Sequence, residues 1–184
     1  MKVISAPLKD CYVIEPDVIG DNRGYFYESF NKNKFTQETG ASMDIVQENQ
    51  SMSKKGVLRG LHYQLGEMAQ AKIVRVLEGE VLDVVVDLRQ SSPTFGKHFK
   101  EKLSSENRKQ VYVPKGFAHA FLILSETAEF FYCIDQVYSP AHESGLRYDD
   151  SLFDIDWGIK NSDIILSSRD ENWPKFDPKH KYFD

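Results

Sequence analysis

Apolar and polar positions alternate with a period of two over most of the chain, in short runs separated by turn residues. The cleanest run is Gly79 to Leu88, where Leu82, Val84, Val86 and Leu88 share one face and Asp83 and Asp87 take the other. Lys72 to Leu77 places Lys72 on one face with Val74 and Val76. Val111-Tyr112-Val113 leads through the turn Pro114-Lys115-Gly116 into the apolar run Phe117 to Leu124. Phe130 to Tyr138 alternates again, with Phe130, Tyr132, Ile134, Gln136 and Tyr138 on one face, and Pro140 ends it. Ile45, Gln47, Asn49 and Ser51 form an unusually polar stripe on an extended segment.

Upstream, Tyr12-Val13-Ile14 reads as a short strand ended by Pro16, and Asp21-Asn22-Arg23-Gly24 has turn chemistry. Tyr25 to Phe30 then reads as a strand with Phe26 and Glu28 on one face. Asn31 is positioned to cap a helix running to about Thr39, with Gly40 as its stop. From Asp149 the chain is aromatic and polar, with Trp157, Trp173 and several prolines, and is expected to lie as short helices and irregular chain against the rest. Many short strands with little helix predict an all-β sandwich or barrel. The absence of repeats and linkers, in a chain of 184 residues, predicts one domain over 1–184.

One stretch departs from simple alternation: Gly56-Val57-Leu58-Arg59-Gly60-Leu61-His62-Tyr63-Gln64. Arg59 and His62 have opposite parity, so a regular strand would send them to opposite faces. A bulge or close backbone approach at Gly60 would bring both into one cavity. The residues alone are equally compatible with a surface arginine beside a hydrogen-bonded core histidine. Lys72 can likewise be a rim lysine whose ammonium reaches solvent. Tyr132 can be a core tyrosine with a satisfied hydroxyl, and His119 a satisfied core histidine.

Composition narrows the function. A hydrophobic fraction of 41% is that of a folded globular protein, and the net charge of −5 argues against a general nucleic-acid or membrane-surface binder. An anionic ligand would therefore need a local cluster of Arg, Lys and His. Cys11 and Cys133 are far apart and form no CxxC pair, so both are expected as reduced thiols. No signal-peptide core lies in Met1–Asp10 and no run has membrane-spanning length, which predicts a soluble, cytoplasmic protein. His62 lacks an HxH partner, since Gln64 stands two residues on, and His98, His142 and His180 are isolated. No local spacing assembles a metal site, so no metal is expected.

Five motifs, taken together and in order, resemble those of the dTDP-4-dehydrorhamnose 3,5-epimerases. They are Arg23-Gly24-x-Phe26-x-Glu28, Gln47-Glu48-Asn49-x-Ser51, Gly56 through Gln64, Val86-Asp87-Leu88-Arg89-x-Ser91-Ser92-Pro93-Thr94-Phe95-Gly96, and Val113-Pro114-Lys115-Gly116-Phe117-Ala118-His119. The resemblance runs over essentially the whole chain. It implies a metal-free, cupin-like jelly-roll barrel with a few short helices, a homodimer exchanging its N-terminal strands, and a cofactor-independent epimerase of a dTDP-4-keto-6-deoxy sugar. By resemblance His62 would be the base, Asp170 its orienting carboxylate, Tyr132 the opposing acid and Lys72 the enolate stabiliser. Arg23, Arg59 and His119 would contact the diphosphate, and Phe26 and Tyr138 would sandwich the thymine. Glu28, Gln47 and Asn49 would make polar contacts to the nucleotide, and Glu143 and Arg169 also match ligand-binding positions. Three positions depart from the usual pattern: Cys133 and Arg169 where relatives carry Lys, and Ala120 where they carry Gly. Relatives that epimerise one carbon share the scaffold, so a 3- or 5-mono-epimerase or a ketoisomerase on a related sugar is the alternative.

Overall fold

The computed structural model describes all of residues 1–184. Strands β1 (Lys2–Ser5) and β2 (Tyr12–Glu15) precede a small hairpin of β3 (Ile19–Asp21) and β4 (Gly24–Phe26). Helix α1 (Lys32–Thr39) follows, then β5 (Gln47–Lys54), β6 (Leu58–Gln64), β7 (Lys72–Glu78) and β8 (Glu80–Asp87). Strands β9 (His98–Ser104), β10 (Gln110–Val113), β11 (Phe117–Ile123), β12 (Thr127–Ile134) and β13 (Glu143–Gly145) complete the sheets, and α2 (Ser168–Glu171) lies near the C-terminus. All ladders between these strands are antiparallel. One sheet has the order β1-β2-β10-β7-β12-β5, and the other β13-β6-β11-β8-β9.

The two sheets face each other as a barrel-like sandwich, and alternation assigns each side chain to one of three apolar layers. Between the sheets lie Val74, Val76, Val81, Val85, Val111, Val113, Phe121 and Phe130. Outside the five-stranded sheet, Leu82, Val84, Val86 and Leu88 are covered by Leu146, Tyr148, Phe153, Trp157 and Phe176. The tail after Asp149 therefore packs on the barrel as its composition predicts, with the Trp157 indole N–H donating to the Tyr148 carbonyl at 3.1 Å. Outside the six-stranded sheet, Phe35 of α1 packs with Ile14, Met43, Ile73 and Cys133. The helix has the predicted limits: the Asn31 side chain accepts from the Lys34 N–H, and Gly40 takes the left-handed conformation at φ 73°.

Three expectations need correction. The strand predicted over Tyr25 to Phe30 stops at Phe26, because β4 pairs only with the three residues of β3. The run Phe130 to Tyr138 ends as a strand at Ile134: β5, its partner, begins at Gln47 opposite Ile134, and no ladder continues beyond. Ile45 lies before β5, so only Gln47, Asn49 and Ser51 of the polar stripe are on the strand. The sequence reading also lacks β1, β3, β9 and β13; β9 is a mixed polar strand with two of its seven residues exposed and only Leu103 and Ser104 buried.

The bulge expected at Gly60 is present. The β6–β11 register is broken between His119 and Phe121, opposite this glycine. Leu58 and Leu61, three residues apart, both face the outer apolar layer, while Arg59 and His62 both line the interior cavity. Gly60 has φ +126°, and a Cβ built there would lie 2.5 Å from both the Ala120 Cβ and the His119 carbonyl oxygen. Gly60→Ala is expected to destabilise the fold by about 3 kcal/mol through strain and overpacking. At this chain length that lowers the melting temperature by roughly 6–12 °C. A melt within about 1 °C of wild type would show that the bulge relaxes freely.

Candidate active site

A cavity of about 380 Å³ opens between the sheets at the end where β5, β6, β7, β11 and β12 converge. It is lined by Gln47, Asn49, Arg59, His62, Lys72, His119, Tyr132, Tyr138, Glu143 and Arg169, among others. Period-two alternation puts them there: Gln47 and Asn49 point inward from β5, Lys72 from β7 and Tyr132 from β12.

His62 reaches the cavity from the five-stranded sheet. Its Nε2 is hydrogen-bonded to Asp170 Oδ1. Asp170 is buried and also accepts from Ser167 Oγ at 2.8 Å and from the Trp173 indole N–H at 3.2 Å. Burial pushes its pKa up, but the hydrogen bond and charge of His62, with the Ser167 and Trp173 bonds, hold it below the ordinary carboxylate value. An ionised Asp170 places the proton of a neutral His62 on Nε2 and leaves Nδ1 with its lone pair. Ser167, which caps α2, thus also fixes the carboxylate that orients the His62 ring.

Tyr132 enters from the opposite, six-stranded sheet. Burial raises its phenol pKa, with Arg59 pulling it back down, so it is a protonated donor at neutral pH. Lys72 lies with its Nζ 6.0 Å from the centre of the Tyr132 ring. Burial lowers the Lys72 pKa to about 8, against the pull of Asp83 and Glu143. Arg59 donates from Nε and Nη2 to Ser53 Oγ, at 3.2 and 3.0 Å. His119 is buried, with its Nε2 2.7 Å from Asp83 Oδ2.

The rim is a linked set. Gln47 Nε2 donates to Asn49 Oδ1 at 2.9 Å, and Gln47 Oε1 accepts the Tyr138 N–H at 3.0 Å. The Tyr138 hydroxyl donates to Glu143 Oε2 at 2.8 Å, and Arg169 donates to the same oxygen. Cys133 faces away from the cavity into the layer under α1, so its departure from the usual Lys does not touch the site. Ala120 faces the outer layer and abuts Gly60.

Arg23, Phe26 and Glu28 do not line this cavity in their own chain. Arg23 pairs with Asp21 across the hairpin turn, and Glu28 is held by Lys34 Nζ at 2.8 Å and Asn31 Nδ2 at 3.0 Å at the head of α1. Phe26 is 71% exposed on the hairpin, which forms a two-stranded sheet of its own, joined to neither large sheet by a ladder. Asp83, Ser53, Ser167 and Trp173 support the site and were not among the site residues expected from the sequence. For Asp83 the available signal was its parity with Val81 and Val85, on a strand whose other polar residues, Glu80 and Asp87, stand at its ends.

The model of the family described as dTDP-4-dehydrorhamnose 3,5-epimerase matches residues 5–178. A dTDP-4-dehydrorhamnose 3,5-epimerase of Shigella flexneri is 48% identical over 176 residues, covering 96% of each chain. The crystal structure of the same enzyme from Elizabethkingia anophelis superposes with a TM-score of 0.94 at 54% identity, over 97% of this chain and 98% of that one. A 3,5-epimerase of Legionella pneumophila in complex with dTDP-4-keto-L-rhamnose gives a TM-score of 0.90 at 43% identity, over 95% and 92%.

Proposed function

The chain belongs to the dTDP-4-dehydrorhamnose 3,5-epimerase family, and from that premise we propose that His62 and Tyr132 divide its proton transfers between them. The reaction converts dTDP-4-dehydro-6-deoxy-D-glucose to dTDP-4-dehydro-L-rhamnose by inverting C3 and C5. Both carbons are α to the C4 ketone, so each can lose a proton to give an enolate and regain one on the other face. That sequence needs a base and an acid on opposite sides of the sugar, with a cation at the carbonyl oxygen.

The observation that carries this reading is the placement of His62, with Asp170 behind it, on one sheet and of Tyr132 on the facing sheet. A sugar lying between the sheets meets the imidazole on one side and the phenol on the other. Lys72 provides the ammonium for the enolate oxygen as a compact point charge. Arg59 and His119 would take the diphosphate, which explains how a protein of net charge −5 holds an anionic substrate. Tyr138 on the rim would stack on the thymine, with Gln47, Asn49, Glu143 and Arg169 around it.

The nucleotide end of this cavity is completed, in this reading, by the β3–β4 hairpin of a second copy, delivering Arg23, Phe26 and Glu28. Ile19, Tyr25 and Phe26 are 70%, 61% and 71% exposed, an apolar surface suited to burial against another chain. The active form would then be a cytoplasmic homodimer.

Incubation with dTDP-4-dehydro-6-deoxy-D-glucose in deuterated water tests the reading. Deuterium at both C3 and C5 in an inverted product is expected by NMR. Label at one carbon alone would make the protein a mono-epimerase, and no label at either would overturn the epimerase mechanism.

A further inference from the structure

Beside the cavity lies a second carboxylate–imidazole pair, Asp83 and His119, whose carboxylate the mechanism above leaves without a role. Asp83 sits on the interior face of β8 between Val81 and Val85, and its side chain is only 1% exposed. Its Oδ2 holds His119 Nε2 at 2.7 Å, and His119 stands directly across the β6–β11 ladder from His62. A carboxylate in such a layer is strongly unfavourable unless cations compensate it. Its hydrogen-bond partner is His119, and Lys72 of β7 lines the same cavity as His119.

We propose that Asp83 is a positioning residue of the epimerase, fixing the His119 ring and supplying the counter-charge that keeps Lys72 an ammonium. The proposal rests on the assignment of Lys72 to the enolate oxygen. The other charged or titratable groups facing this part of the cavity are Arg59 and the His62–Asp170 pair, Tyr132 from β12, Tyr138 beyond it, Glu143 from β13 and Arg169 from α2, with Cys11 packed beside Asp83 between the sheets. Of the carboxylates among them, Glu143 is the other one that favours the charged form of Lys72, and Asp83 acts more strongly. Glu143 is already engaged by Arg169 and the Tyr138 hydroxyl. Burial alone disfavours the ammonium, so removing the Asp83 charge lets Lys72 lose its proton at lower pH.

The test is the pH profile of C3 deuterium exchange in wild type and Asp83→Asn, paired with competitive acetylation of Lys72 read by mass spectrometry. In wild type both the basic limb of kcat and the Lys72 acetylation midpoint are expected at about 8. In Asp83→Asn both should move down by about one pH unit or more. The rate at pH 8 should then fall roughly fivefold or more, with KM changed far less. A rate lowered equally at every pH, with limb and midpoint in place, would mean a merely structural aspartate and overturn the proposal. Wild-type protein that exchanges at no pH would instead overturn the epimerase reading, while the acetylation midpoints still decide whether Asp83 governs Lys72. If Asp83→Asn does not fold, Glu143→Gln decides: an unmoved Lys72 midpoint leaves Asp83 as the counter-charge, and a midpoint about one unit lower assigns that role to Glu143 and removes it from Asp83.

Discussion

His62→Ala is expected to lower deuterium exchange at C3 and C5 together by roughly 10²–10⁴-fold, the usual contribution of a positioned general base. The two carbons fall together because the proposed mechanism has one imidazole serve both, with its Nε2 held by Asp170 and its Nδ1 free to act as the base. The same change affects stability. Asp170 has a depressed pKa in the folded protein, so its contribution is full above the unfolded carboxylate value of about 3.9 and is lost as pH falls through the folded value. Deleting the imidazole removes one of the bonds that hold it down, leaving those from Ser167 and Trp173. His62→Ala should therefore melt lower than wild type at neutral pH, by an amount of order 1–3 kcal/mol, with a gap that narrows in acid. His62→Gln retains a donor for Asp170 and should recover much of that stability without recovering exchange. Exchange within tenfold of wild type in both variants would remove His62 from the role of base.

Alternation carried the fold reading because the sheets are amphipathic in a regular way. Leu82, Val84, Val86 and Leu88 marked one face of β8 correctly, yet nothing local said which face was interior. Both faces are covered, one by the facing sheet and one by the C-terminal tail, so Asp83 and Asp87, on the polar side, are buried. Asp87 is there because Arg89, Ser92 and Thr94 satisfy it at 2.6–3.0 Å. The β3–β4 hairpin and β9 were misread or missed for the opposite reason: the hairpin is exposed on both faces, and β9 buries only Leu103 and Ser104, so neither shows a clear alternation.

The site was legible only in part from spacing. The parity conflict between Arg59 and His62 pointed to a bulge at Gly60, and the structure has it. Lys72 and Tyr132 were ambiguous because one polar residue on an apolar face looks alike at a rim and in a cavity. The partner of His62 lies 108 residues away in sequence, on a helix of four residues, beyond the reach of any periodicity. Resemblance to the family named Asp170. It did not name Asp83, whose partnership with His119 emerges only when β8 and β11 are paired.

Tyr132→Phe is expected to separate exchange from inversion. The substitution removes one hydroxyl and leaves the ring between Phe130, 6.2 Å away centre to centre, and the Lys72 ammonium. The base, its carboxylate and the cations are untouched, so proton loss should continue within a few-fold of wild type. What is lost is delivery of a proton from the opposite sheet, worth roughly 10²–10⁴-fold as general acid catalysis. The enolate is then reprotonated from the base side by the His62 imidazolium, once that group has exchanged its proton with solvent, on the face from which the proton came. In deuterated water the substrate should accumulate label with its configuration retained, while inverted product forms slower by that factor. Wild type should incorporate label only with inversion. The discriminating quantity is therefore the ratio of exchange to inversion at each carbon, which total activity does not report. If exchange falls as far in Tyr132→Phe as in His62→Ala, the phenol takes part in deprotonation itself and the division of labour between the two sheets is wrong.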